Sequence, residues 1–185
     1  SRHAEVASVG DEVLDIFPGF TDIVLEQALA AGAAGDAARE EALLRHCLEM
    51  GDGPSRYSAT VGCGTYRALV VLADVLRRRG AVDEAEETLR ACLQEHPGFL
   101  AAVDPYAALL LRRRVPAAEV VETIHELVAD SSPSMRFLLA VALSEAGAVV
   151  EAEAELRAVI AAQPANAHAR VALGETLLAQ GRFAD

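Results

Sequence analysis

Apolar residues recur at spacings of three and four in the segment 66–79, where Leu69, Leu72, Ala73 and Leu76 share one face. That is the period of an amphipathic helix. Gly80 follows, a residue that accepts the left-handed backbone at which such a helix ends. A second stripe of Ala85, Leu89 and Cys92 then runs to Pro97, which stops it. The pattern predicts two antiparallel helices, A and B, held close by the small residues Ala73 and Ala85.

The pair is written more than once. The stretches GAVDEAEETLRACLQEHPGF (80–99) and GAVVEAEAELRAVIAAQPAN (147–166) share ten of twenty positions at an offset of 67 residues. A hairpin recurs when each copy buries the face that its neighbour exposes. Counted from Tyr66, the positions 4, 7, 8, 11, 15, 20, 24, 27 and 32 hold Leu69, Leu72, Ala73, Leu76, Gly80, Ala85, Leu89, Cys92 and Pro97. This register resembles the tetratricopeptide repeat, with Leu where that family usually has aromatics. The resemblance implies an all-α, tetratricopeptide-type helical-hairpin solenoid, a right-handed superhelix of antiparallel helix pairs.

The expected organisation follows from the register. Residues 1–19 show no clear period and read as a linker or the tail of a preceding domain. A degenerate helical hairpin spans 20–54, with Glu40 where a small residue is expected, and an insertion spans 55–65. Full repeats occupy 66–99 and 133–166. Between them, 100–132 is an irregular repeat in which Arg114 replaces the usual Gly and Pro116 opens helix B in its first turn. Residues 167–185 read as a truncated repeat with helix A alone, whose apolar stripe (Val171, Leu173, Leu177, Leu178) lacks its helix B.

Repeats of this family bind ligands with positions 2, 5, 9 and 12 of helix A. Carried over by register, the resemblance implies a concave face of Arg67, Val70, Asp74 and Arg77, then Asp104 and Leu111. The next repeats add Phe137, Val141 and Ser144, then His168, Val171 and Glu175. Chaperone-tail-binding members clamp a carboxylate there with Lys and Asn, which this face lacks. Its mixed, largely apolar character suits a protein or peptide partner, or a preceding domain of the same chain. Filling of a tight superhelix by these side chains is the competing reading.

Charge and composition narrow the chemistry. All sixteen basic residues are Arg, so a Schiff-base lysine and a Walker-type phosphate loop are excluded. A net charge of −12 argues against nucleic acid and acidic membrane surfaces. No apolar run is long enough to span a bilayer. The triplets Arg77–Arg79 and Arg112–Arg114 fall at helix ends, where cations are favoured; an anion-binding basic edge is the alternative. Five scattered histidines show no metal-ligand spacing, and no GxSxG occurs. No catalytic, cofactor or metal residue is expected. Cys47, Cys63 and Cys92 form no CxxC pair and read as small buried hydrophobes, which fits a reducing cytoplasm.

Longer phrases carry a more particular resemblance. LLRHCLEMGDGPSRYSATVGCGTYRALVVLA, CLQEHPGFLAAVDPYAALLL and RFLLAVALSEAGAVVEAEAELRAVIAAQPANAHARVALGETLL resemble the helical region after the catalytic domain of bacterial family-two glycosyltransferases. That resemblance implies an accessory scaffold whose parent uses a nucleotide sugar and a metal held by Asp-x-Asp, a motif absent here. A stand-alone adaptor, or a homo-oligomer formed through the last helix, are the alternatives.

Overall fold

A computed structural model describes residues 2–128 and 131–182, with side chains from residue 9 onward. Ten α-helices and one 3-10 turn make up the regular structure of the described residues, and no strand occurs among them. The chain divides into two compact units, 1–88 and 89–185.

The first unit contains α1 (Arg2–Ile16), α2 (Thr21–Ala33), α3 (Ala37–Met50) and α4 (Tyr66–Arg78). Helix α5 (Val82–Glu95) begins in it. Residues 1–19, which show no period, thus hold a helix, and α1 packs on α2. At the contact Gly10 is buried against Gln27, whose Nε2 donates to Asp11 Oδ1 at 2.9 Å. The core is small-residue packing around Val24, Ala28, Leu44, Cys47, Ala68 and Val75, all fully buried.

Position 20 of the α2–α3 hairpin carries Glu40, which is buried where later repeats place Ala85 and Ala152. Gly32 makes the room, because a Cβ there would overlap the Glu40 carboxylate. Arg78 supplies the charge, donating to Glu40 Oε2 at 2.9 Å. A buried carboxylate is tolerated when paired and hydrogen-bonded.

The segment 51–65 is irregular but tied down. Asp52 accepts from the amides of Gly62 and Gly64 at 3.0 Å each. Asp22 Oδ2 accepts from Thr60 N at 2.7 Å, and the Thr21 hydroxyl donates to the Gly51 carbonyl at 2.6 Å. Tyr57 packs between Phe17 and Phe20 and donates its hydroxyl to the Pro18 carbonyl.

The second unit holds the rest of α5, a 3-10 turn (Leu100–Ala102), α6 (Val103–Arg112) and α7 (Ala117–Leu127). Then come α8 (Pro133–Glu145), α9 (Val149–Ala162) and α10 (Ala167–Ala179). Helix α8 is central, packing on α6 and α9, while α10 packs on α9 and more lightly on α8. Ser132 caps α8 by accepting from Met135 N, and Asn166 caps α10 by accepting from Ala169 N. Leu139, Ala140, Leu143, Leu156 and Val159 are fully buried. Each buried Leu contributes about 1.5–3 kcal/mol.

One turn recurs through both units. Gly35, Gly80, Arg114, Gly147 and Gly181 all have φ between 64° and 83°. The next amide bonds back to a carbonyl in the helix: Ala81 to Leu76, Val115 to Leu110, Ala148 to Leu143, Arg182 to Leu177. This is the Schellman closure. Arg114 does with a side chain what glycine does elsewhere. Pro116 is the N-cap residue of α7, one position before the first-turn site expected for it, with φ −54° and ψ 135°.

The truncated repeat is described through Arg182; residues 183–185 of 167–185 lie outside the described residues, as do 129–130 of 100–132 and Ser1 of 1–19.

Candidate functional site

Helix α4 carries four of the expected face residues. Arg67 is exposed and Val70 half-buried. Asp74 and Arg77 bind each other: Arg77 Nη2 donates to Asp74 Oδ1 at 2.6 Å, and Arg78 Nε donates to Oδ2 at 2.9 Å. Burial pushes the Asp74 carboxyl up, but the bonds from Arg77 and Arg78 outweigh it and hold it below its ordinary value. Arg79 pairs with Glu41. The first arginine triplet is therefore spent on Asp74, Glu40 and Glu41.

In the second unit, α8 and α10 bring the expected residues together in two clefts. Val141 and Ser144 of α8 and Glu175 of α10 line a cleft of about 330 Å³, with Glu145, Ala172 and Thr176 beside them. Phe137 and His168 line another of about 280 Å³, with Ser134, Gln163 and Asn166. Phe137 also packs against the core of Ala140, Leu156, Val159 and Ala169. The last helix splits its apolar stripe. Leu177 is buried and Leu173 half-buried, whereas Val171 and Leu178 stay 62% and 56% exposed.

Asp104 and Leu111 lie on α6, both half-buried and lining neither cleft. Burial, then the charge of Glu145, raise the Asp104 carboxyl above its ordinary value, and Arg112 opposes them. The floor of the larger cleft is satisfied internally. Thr176 Oγ1 donates to the Ala172 carbonyl at 2.8 Å and lies 3.4 Å from Ser144 Oγ.

Sequence reasoning missed Glu145, one residue beyond the position it followed. It also missed a buried network joining three helices. Glu155 of α9 accepts from Arg136 Nη1 at 2.8 Å, and its other oxygen lies 3.1 Å from His125 Nε2. His125 Nδ1 lies 3.1 Å from Ser131 Oγ. Complementary side chains at 125, 136 and 155 were visible, but their separations of 11 and 19 residues fit no local rule.

None of the three cysteines is in a disulfide, and all three are buried. Burial pushes the Cys47 thiol up to about 12 and the Cys92 thiol up to about 11, and it raises Cys63 as well. Among the described residues no group of three or more His, Cys, Asp or Glu is placed to hold a metal, and no helix is long and apolar enough to cross a membrane.

Two tetratricopeptide-repeat family models match the chain, one over residues 63–98 and one over 143–185. Tetratricopeptide repeats occupy these two segments. Among solved structures, BtubC from P. vanneervenii superposes with a TM-score of 0.58 at 16% identity, covering 98% of this chain and 83% of that one. TPR-like repeats from Podospora anserina give 0.56 at 21%, covering 89% and 88%. A thermophilic TPR protein of Thermus thermophilus gives 0.51 at 18%, covering 88% and 84%. At these identities the likeness is one of fold. No curated protein matches the chain.

Proposed function

We propose that the chain is a non-catalytic scaffold for protein–protein contact, and that the face of α8 and α10 is its contact surface. One observation carries the reading: Val141 and Ser144 of α8 and Glu175 of α10, on separate helices, converge on one open, largely apolar cleft. A photo-crosslinking residue placed at Val141 tests it, with one at exposed Glu122 of α7 as reference. Partner crosslinks are expected at Val141 and not at Glu122. Equal yields at both positions overturn the assignment.

Exposed Val171 and Leu178 on α10 favour a second reading, in which two copies associate through that helix. Sedimentation at rising concentration tests it. A strict monomer, or a dimer indifferent to Leu178→Asp, removes it.

The glycosyltransferase accessory role rests on the resemblance of the quoted phrases alone. Cytoplasmic placement and avoidance of nucleic acid rest on cysteine usage and acidity. A reading frame with strand–helix alternation and Asp-x-Asp upstream of residue 1 supports the accessory role. A full-length frame without them leaves an adaptor.

A further inference from the structure

The larger cleft has an electrical character that its apolar lining conceals. Glu145 and Glu175 stand at it, both exposed, and among the described residues neither makes an ion pair. The contrast lies next door on α9. There Glu153 is paired with Arg157 and Arg182, and Glu155 with Arg136. Arg136, Arg157 and Arg182 are thus engaged away from the cleft. No Arg or His lines the cleft itself. On α6, outside the cleft lining, Asp104 feels the Glu145 charge, with Arg112 opposing it.

The smaller cleft is different. It is lined by Phe137, His168 and the amides Gln163 and Asn166, with no carboxylate. Acidic character is confined to the larger one. Its floor asks for no donor, because Ser144 and Thr176 satisfy each other and the Ala172 carbonyl. What remains unmet is a cation at the mouth and an aliphatic surface beneath it.

Resting on the contact-surface reading above, we infer that the cleft between α8 and α10 receives a basic segment of a partner protein, one Arg or Lys side chain lying along Val141 and Ala172 with its cation between Glu145 and Glu175. Such side chains lay their methylenes on apolar surface and keep the charge at the rim. The arrangement selects against acidic segments, which meet like charge there.

The probes are blocked six-residue peptides of alternating Arg and Leu, or of alternating Glu and Leu, titrated into the full chain and followed by amide chemical shifts. The Arg–Leu peptide is expected to shift Val141–Glu145 and Ala172–Thr176, and to bind more weakly as salt rises. Glu145→Gln with Glu175→Gln is expected to weaken it about fivefold, the scale of two rim ion pairs. Glu119→Gln with Glu122→Gln makes the same change in net charge on α7 and is expected to leave binding unchanged. Equal weakening by both double variants overturns the inference, as does an Arg–Leu footprint elsewhere. If the Glu–Leu peptide occupies the cleft as tightly, the inference falls while the contact surface stands. If crosslinks at Val141 fail to exceed those at Glu122, the surface itself falls.

Discussion

Arg136 on α8 donates to buried Glu155 on α9 across 2.8 Å, and His125 of α7 meets the same carboxylate from the other side. Three helices of one unit thus converge on a single charge. Removing Arg136 leaves that charge with His125 alone. Arg136→Ala is expected to cost about 3 kcal/mol, since a buried carboxylate loses its guanidinium partner. Replacing both residues, Arg136→Met with Glu155→Leu, is expected to recover most of the loss. Urea unfolding of the two variants checks this; a double variant as unstable as the single one refutes it.

Arg114 holds φ 64° where Gly80 and Gly147 do the same job without a Cβ. A left-handed side-chain residue costs roughly 1–2 kcal/mol, and glycine's extra unfolded-state entropy returns part of that. Arg114→Gly is expected to stabilise the chain by about 0.5–1 kcal/mol. A fall in the denaturation midpoint contradicts this.

How much of this was legible in the sequence depends on where each cause lies. The Schellman turns were readable because one residue type at one place does the work, and Gly80 and Gly147 mark them. Helix α1 was not readable: Val9 and Ile16 are exposed, Val13 and Leu14 are half-buried, and the buried residue against Gln27 of α2 is Gly10, which carries no apolar side chain to announce it. Asp74 and Arg77 were placed on the expected face by register, yet the structure spends them on each other. Glu145 escaped because the register stops at Ser144. Glu40 was visible as a misfit, but its remedy lies in Gly32 across a turn and in Arg78 on another helix.

Gly32→Ala is expected to cost about 1 kcal/mol despite alanine's better helix propensity. The new Cβ drives Glu40 away from Arg78. In a Glu40→Ala background the same change is expected to be neutral or stabilising. A double-mutant cycle with additive effects rules out this coupling.

Thiols at about 12 and about 11 stay protonated near pH 8, and the thiolate is the nucleophile. Iodoacetamide is expected to leave Cys47 and Cys92 unlabelled in the folded chain and to label them fully in denaturant. Fast labelling of either in the native protein contradicts this burial.

Asp104 sets a pH dependence of definite sign. Its folded carboxyl titrates above its unfolded value, so the folded state favours the protonated form. The penalty is absent below the unfolded carboxylate range. It grows as pH rises and is complete once pH passes the folded value. Asp104→Asn is expected to stabilise the chain at pH 7 and to do nothing at pH 3. Equal effects at both values contradict it.

The Gly32–Glu40–Arg78 arrangement also makes the order of substitutions matter. A lineage that first trades Glu40 for alanine leaves Arg78 to Asp74 alone and then finds position 32 open to any small residue. A lineage that begins at position 32 meets a barrier at its first step. Two chains with the same final residues could thus be reached in one direction and not in the other, and the odd glutamate in this hairpin guards the glycine opposite it.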